Sequence, residues 1–173
     1  MNPLKDFVLQ FSGLDDGIHT FELMVDDKFF NEFEFSEIKE GKVKVSVQMD
    51  KQTTMMILDF AISGYITCVC DRCLENYQEQ IKGSERIIVK FDEDPGEAND
   101  EIKVISSAEN QIDLSQDIFE FITLLLPYKR THPQDKKGKS ACNPEIIKIL
   151  EKLNIQKNTD PRWDELKKIS LKN

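Results

Sequence analysis

The stretch TTMMILDFAISGYITC, residues 53–68, alternates apolar and polar side chains over most of its length. A period of two places the apolar side chains on one face of an extended strand and the polar side chains on the other. The apolar face carries Met56, Leu58, Phe60, Ile62, Ile66 and Cys68. Gly64 interrupts the series and marks a place for a bulge or bend. The stretch therefore predicts a long strand with one buried face.

The same period continues on both sides of this strand. NYQEQIKGSERIIVKF, residues 76–91, predicts a second long strand, and CVCDRC, residues 68–73, makes the turn of the resulting hairpin. KVKVSVQM, residues 42–49, predicts a further half-buried strand. Shorter strands are predicted in DFVLQFSGL, IHTFELMV, EIKVIS and NQIDL, and DDKFFNEF predicts a short helix or turn.

From Leu114 the apolar period changes to that of a helix, which Pro127 should end. Asp113 and Gln116 can form a capping box at its start. NPEIIKILEKLNI and TDPRWDELKKISL each place a proline after a capping residue and predict two C-terminal helices. The predicted fold is therefore α+β: a mostly antiparallel sheet that could be barrel-like, one packed helix, and two C-terminal helices.

Charge divides the 173 residues into two parts. Residues 1–126 hold 11 Lys and Arg against 26 Asp and Glu, a net charge of −15. Residues 127–173 hold 12 against 6, a net charge of +6. We therefore predict a sheet-rich acidic body over 1–126 and a basic extension, a linker and two helices, over 127–173.

The N-terminal sequence MNPLKDFVLQF lacks the features of a signal peptide, and no run of 18 apolar residues occurs. These features predict a cytoplasmic protein without a membrane partner. In a reducing compartment, four cysteines are expected to be free thiols, ligands or redox groups.

Catalytic motifs are missing from the sequence. It has two histidines, His19 and His132, and no nucleophile elbow, phosphate-binding loop or dinucleotide fingerprint. We therefore expect neither an enzyme nor a small-molecule substrate, and assign no catalytic residue.

The cysteine turn allows three interpretations. Cys70 and Cys73 have the spacing of a redox pair, although such pairs gain a low pKa at the start of a helix, and this turn joins two strands. They also have the spacing of half a tetrahedral zinc site, for which His132 and Cys142 would supply the other half. Alternatively, they are reduced thiols packed under a hairpin tip. Cys68 belongs to the apolar face of its strand.

A basic surface is the other candidate for function. The linker after residue 127 has a local charge of +4 beside Tyr128 and His132, which can stack on bases. A lysine run is often only a solvated surface, but further basic residues follow in the last predicted helix. The candidate nucleic-acid-binding residues are Lys129, Arg130, Lys136, Lys137, Lys139, Arg162, Lys167 and Lys168.

Four motifs in this order resemble the YceD family: CDRCLENY after a long strand, IDLSQDIFEFITLLLPYKRTH, a later lone cysteine, and DPRWDELKKI. The resemblance covers most of residues 43–170. By position, Cys70, Arg72 and Cys73 match the family's Cys-x-Arg-Cys turn, and His132 and Cys142 fall where related chains place a His or Cys and a further Cys. Leu126 and Pro127 match the end of the apolar helix, and Pro161 and Leu166 lie in the closing motif.

The resemblance implies a role in the synthesis, processing or stability of 23S ribosomal RNA. The leading hypothesis is therefore a non-enzymatic ribosome-biogenesis factor whose partners are ribosomal RNA or a pre-ribosomal particle, and for its acidic body a basic ribosomal protein. The alternatives are a protein-binding adaptor without direct RNA contact, and a thiol-based redox protein that uses Cys70 and Cys73. A structural zinc ion is the one cofactor that the sequence suggests.

Overall fold

A computed structural model of the protein describes residues 3–92, 102–134, 138 and 140–155. A 3-10 helix over Pro3–Phe7 precedes the first strand. The strands are β1 (Val8–Gln10), β2 (Gly17–Val25), β3 (Gly41–Lys51), β4 (Met55–Val69), β5 (Asn76–Asp92), β6 (Ile102–Ser106) and β7 (Gln111–Asp113). The helices are α1 (Asp27–Asn31), α2 (Ser115–Leu124) and α3 (Pro144–Ile155). The predicted α+β class is confirmed.

Five strands form one sheet in the order β2-β3-β4-β5-β6, and β1 pairs with β7 in a separate two-stranded sheet. Every pairing is antiparallel except that of β5 with β6. Among the described strands, β2 and β6 form the two edges of the larger sheet and do not pair with each other. The larger sheet is therefore open and is not a closed barrel.

The alternating patterns of β3, β4 and β5 are built as predicted. The apolar positions of β4 from Met56 to Cys68 are buried, as are Val43, Val45, Val47 and Met49 of β3. The predicted bulge at Gly64 is wrong, because the pairing with β3 and β5 runs through it without a break. A Cβ on Gly64 would lie 2.2 Å from the backbone oxygen of Lys42. The glycine is thus needed for a close approach of two strands.

Helix α2 packs on the buried face of the larger sheet. Ile118 and Ile122 are fully buried, and the ring of Phe121 meets that of Phe60 at 5.1 Å. The predicted capping box is wrong: an oxygen of Asp113 accepts hydrogen bonds from the backbone and hydroxyl of Ser115, and Gln116 donates to Glu120. The helix ends at Leu124, just before the proline that was expected to stop it.

The first strand predicted at the N-terminus was too long, whereas the second, IHTFELMV, is confirmed as β2. Only Val8–Gln10 of DFVLQFSGL is a strand, because the residues before it form the 3-10 helix. The short helix predicted in DDKFFNEF is α1, which Asp26 caps by accepting from the backbone N–H groups of Lys28 and Phe29. The helix predicted from Asn143 is α3, and the one predicted over 159–171 lies outside the described residues.

The chain falls into two compact units. The first comprises Met1–Val69 and Asn76–Arg130, and the second comprises Cys70–Glu75 and Thr131–Asn173. The second unit therefore includes the turn between β4 and β5. The predicted boundary between residues 126 and 127 remains a prediction. No described helix has the length and apolarity needed to cross a membrane.

Candidate metal centre

The turn between β4 and β5 brings two cysteines to one side of the chain. The backbone N–H of Cys70 donates to the carbonyl of Glu75, and that of Leu74 donates to the carbonyl of Cys70, both at 2.9 Å. Leu74 has a φ of 60°, in the left-handed region that a leucine rarely adopts. Such a conformation persists only where the surrounding structure imposes it. The turn is thus tight and has one specific backbone conformation.

A second turn brings His132 and Cys142 together, although nine residues separate them in sequence. Gln134 and Ser140 form an antiparallel bridge, and the backbone N–H of Ala141 donates to the carbonyl of Pro133 at 3.2 Å. This pairing folds the segment back on itself. No local pattern in the sequence indicates this bridge, which brings the two residues together.

Cys70, Cys73, His132 and Cys142 all belong to the second unit, and their ligand atoms lie within 4.8 Å of one another. The sulfur of Cys70 is 3.7 Å from that of Cys142. Nδ1 of His132 is 3.4 Å from the sulfur of Cys73 and 3.7 Å from that of Cys142. The structure therefore brings together the four residues that the sequence proposed.

The sulfur–sulfur separation of 3.7 Å and the sulfur–nitrogen separations of 3.4 and 3.7 Å match the edges of a small tetrahedron, and the other pairs lie within 4.8 Å. Around an ion with bonds of about 2.3 Å to sulfur and about 2.0 Å to nitrogen, tetrahedral angles place two sulfurs roughly 3.8 Å apart, and a sulfur and a nitrogen roughly 3.5 Å apart. The sulfurs are too far apart for a disulfide, whose bond is about 2.05 Å long, and all four cysteines are free thiols. Three sulfurs and one imidazole nitrogen can thus hold a tetrahedral metal ion.

The surroundings of the four residues suit thiolate ligands. Cys70 is fully buried, and Cys73 and Cys142 are nearly so, at 4% and 5% exposure. The backbone N–H of Arg72 donates to the sulfur of Cys70 at 3.4 Å, which is a charge-stabilising contact for a thiolate. Arg72, two residues after Cys70, thus contributes its backbone N–H to the site.

Burial and backbone hydrogen bonds act in opposite directions on Cys70. Burial alone would raise the pKa of this thiol. Hydrogen bonds from the backbone N–H groups of Cys73, Arg72 and His132 together outweigh burial and lower the pKa to about 6. Burial raises the pKa of Cys73, and the neighbouring sulfurs of Cys70 and Cys142 add to that increase. One thiolate is therefore favoured near neutral pH, and a second negative charge beside it is disfavoured unless a cation joins them.

Asn143 links the two halves of the cluster. Its side-chain amide donates to Glu75 at 2.7 Å, and its side-chain oxygen accepts from the backbone N–H of Glu145 in the first turn of α3. The hydroxyl of Ser140 accepts from the backbone N–H of Cys142 at 3.2 Å. Sequence reasoning found Asn143 as a helix cap but missed its second bond, because a pair of residues so far apart leaves no local pattern.

Most of the candidate nucleic-acid-binding residues lie outside the part of the chain that the structure describes. Lys129 is exposed, and the guanidinium of Arg130 lies 3.0 Å from a carboxylate oxygen of Glu37. The remaining six, Lys136, Lys137, Lys139, Arg162, Lys167 and Lys168, lie outside the described residues. Their role in binding stays a prediction.

The fold and the cluster define an α+β protein with a Cys3His group of metal-ligand type built on a strand-to-strand turn. Residues 58–170 match the model of the family described as large ribosomal RNA subunit accumulation protein YceD. That span is more than half of the chain and includes all four Cys and His residues, so the chain belongs to this family, as the resemblance indicated. No curated protein matches, and no solved structure matches.

Proposed function

We propose that this protein is a non-enzymatic factor that supports the synthesis, processing or stability of 23S ribosomal RNA in the cytoplasm. The observation that carries the proposal is the family match over residues 58–170, because the name of that family refers to accumulation of the large-subunit ribosomal RNA. The matched span contains the cysteine turn, α2, α3 and the whole Cys3His cluster.

The metal in this proposal is a structural zinc ion held by Cys70, Cys73, His132 and Cys142. Three thiolates and an imidazole are ligands that zinc prefers, and four protein ligands leave no open position for catalysis. Bound zinc would supply a fixed link between the turn at 70–75 and the segment at 131–142. The residues themselves provide the burial, the hydrogen bonds to sulfur and the close approach that such a link requires.

The RNA contact in this proposal is the basic extension. Residues 127–173 carry a net charge of +6, and phosphate contacts by Lys and Arg dominate the affinity of proteins for nucleic acids. The acidic body, residues 1–126, would meet a basic ribosomal protein or remain solvated. Such binding should weaken steeply as salt is raised, because each phosphate contact releases condensed counterions.

Depletion of the protein tests the function directly. We expect the ratio of 23S to 16S ribosomal RNA to fall and large-subunit particles to decrease in sedimentation profiles. A copy of the gene in which Lys129, Arg130, Lys136, Lys137 and Lys139 are changed to glutamine should restore 23S RNA poorly, whereas the unchanged gene restores it fully. Normal 23S RNA levels after complete depletion would contradict the proposed function.

A protein-binding adaptor is the second candidate, and α3 is the observation that favours it. Ile149, Leu150 and Leu153 of this helix are 53%, 40% and 62% exposed. Apolar side chains at this spacing commonly contact another protein. If ribosomal particles retain the protein after their RNA has been digested by nuclease, the adaptor is favoured over the RNA-binding factor.

A thiol-based redox function has one supporting observation, the lowered pKa of Cys70. A lowered pKa also suits a metal ligand, so the two functions need a direct comparison. The zinc-loaded protein should resist alkylation at Cys70, and a redox protein should react rapidly at that thiol and form a reversible disulfide with Cys73.

A further inference from the structure

The five-stranded sheet has one face that the core does not cover. Side chains at alternate positions of β3, β4 and β5 point away from the buried core and are exposed or half-buried. All of them belong to the first unit. None of these side chains belongs to the Cys3His cluster or to the basic extension.

One end of the open face gathers three lysines through strand register. Lys42 of β3 lies opposite Tyr65 of β4, which lies opposite Gln80 of β5. In the next row, Lys44 lies opposite Ser63, which lies opposite Lys82. A third row pairs Thr67 with Gln78. We call these eight residues the basic sheet face: Lys42, Lys44, Ser63, Tyr65, Thr67, Gln78, Gln80 and Lys82.

The composition of this face differs from that of its unit. In Met1–Val69 and Asn76–Arg130, 24 acidic residues outnumber 12 lysines and arginines. The basic sheet face has three lysines and no acidic residue. Lys42 and Lys44 are two residues apart on β3, and Lys82 lies across β4 on β5, about twice the 4.8 Å spacing of neighbouring strands away. The face is therefore a positive area on an otherwise acidic unit.

Two of the three lysines are available to a ligand. Lys42 and Lys82 are exposed and make no ion pair with any described residue. Lys44 lies 2.7 Å from a carboxylate oxygen of Glu22 in the adjacent row, and both side chains are largely solvent-accessible. Exposed pairs of this kind contribute little stability and exchange partners readily.

Tyr65 adds an aromatic surface between the lysines. Its half-buried ring borders a cavity of about 590 Å³ that is also lined by Met24, Lys28 and Lys42. Asp26 and Asp27 line the same cavity, and their carboxylates keep their charge while accepting hydrogen bonds from backbone N–H groups. Asp26 accepts the capping hydrogen bonds of α1, and Asp27 accepts from the backbone N–H of Gly41 at 2.8 Å.

We propose that the basic sheet face binds single-stranded RNA. Lys42, Lys44 and Lys82 would contact phosphates, and Tyr65 would stack on a base. The amides of Gln78 and Gln80 can both donate and accept hydrogen bonds, as base edges require. An acidic protein would need only the cations, so the ring and the two amides favour RNA. This inference rests on the proposed function and adds an RNA contact on the sheet to the one proposed for the extension.

The test uses the full chain and a fluorescent oligouridylate of about 12 nucleotides, a length within the site sizes known for single-strand-binding OB folds. The variant K42Q/K82Q removes two exposed lysines of the face. The matched control K5Q/K90Q also removes two exposed lysines; Lys90 is on the same face of β5 but at its far end, and Lys5 is in the 3-10 helix. Thermal unfolding and zinc content verify that each variant is folded.

Binding is measured between about 50 and 200 mM salt. For K42Q/K82Q we expect affinity to fall at least tenfold and the slope of log affinity against log salt to become shallower by about 1.4, because each lost phosphate contact on a single strand contributes about 0.7. For Y65L we expect about a tenfold loss with an unchanged slope, because stacking releases no counterion. The control should stay within about twofold of wild type at the same salt.

Three results would overturn the inference. If K42Q/K82Q and K5Q/K90Q lose equal affinity, only net charge matters. If Y65L binds as wild type does, and K42Q/K82Q loses affinity for poly-glutamate as strongly as for RNA, the face is a site for acidic proteins. If wild type binds the oligonucleotide and K42Q/K82Q binds equally well, the face is not the site, although the proposed function stands. Failure of wild type to bind any RNA would count against both proposals.

Discussion

Replacing Cys142 by serine should remove tight zinc binding while leaving the five-stranded sheet folded. Cys142 contributes one of four ligand atoms, and its sulfur lies 3.7 Å from both the sulfur of Cys70 and Nδ1 of His132. A structural zinc site provides about 10–16 kcal/mol of binding free energy at neutral pH. Divided equally among the four ligands, this binding free energy is roughly 3 kcal/mol for each ligand. Loss of one ligand should therefore lower the zinc affinity more than about a hundredfold.

The assay combines elemental analysis with cobalt substitution. Wild type should carry one zinc ion per chain, and its cobalt form should show the intense thiolate-to-metal absorption of a site with three sulfurs. C142S should lose most of its zinc during dialysis against a weak chelator, and the cobalt absorption should fall and shift. Thermal unfolding of wild type should also move to lower temperature when zinc is removed, because metal binding stabilises the folded state.

Cys68 supplies the matched control. It is a nearly buried thiol in the same segment, but it faces the core from β4 and is not one of the four clustered residues. C68A should therefore keep one zinc ion per chain and the wild-type cobalt spectrum. Retention of a full zinc ion by C142S, or equal zinc loss in C142S and C68A, would refute the assignment of these four ligands.

Three further substitutions test the packing. G64A should destabilise the protein by about 3 kcal/mol in urea unfolding, because the added Cβ would lie 2.2 Å from the backbone oxygen of Lys42. The control G13A, whose Cβ would have nothing within 4 Å, should change the free energy of unfolding by less than about 0.5 kcal/mol. I122A should cost about 2–5 kcal/mol in the same assay, because this α2 side chain is fully buried; a loss below about 1 kcal/mol would contradict its place in the core. N143A removes the cap of α3 and should destabilise that helix by about 1 kcal/mol. The first amides of α3 should then exchange hydrogen faster, and unchanged exchange would argue against the cap.

The central strands could be predicted from sequence because each buries one face against a single core. In β3, β4 and β5 a period of two extends over many residues, so side-chain alternation alone determines which residues are buried. Which strands pair with each other could not be predicted in this way. The pairing of β1 with β7 joins segments at opposite ends of the sheet-forming chain, and the consecutive strands β5 and β6 pair in parallel; neither arrangement leaves a local pattern.

The residues of the Cys3His cluster could also be predicted from sequence, but the contacts that bring them together could not. The spacing of Cys70 and Cys73 and the types of His132 and Cys142 were sufficient to nominate the four, because the remaining Cys and His residues belong to predicted strands. Their meeting depends on the bridge between Gln134 and Ser140 and on the left-handed Leu74, neither of which follows from propensity. Sequence reasoning missed the basic sheet face, because Lys42 and Lys44 share a face by alternation but Lys82 joins them only through the register of β3, β4 and β5.

The order of the four ligands along the chain has a consequence for how the protein is made. Cys73 and His132 are 59 positions apart, and Cys70 and Cys142 are 72 apart. Closing a loop of that length costs roughly 3–4 kcal/mol of chain entropy. At translation rates of about 5–20 residues per second, the first pair of thiols leaves the ribosome several seconds before its partners. A nascent chain would thus carry an incomplete zinc site for several seconds, and zinc would be held tightly only once Cys142 had also left the ribosome.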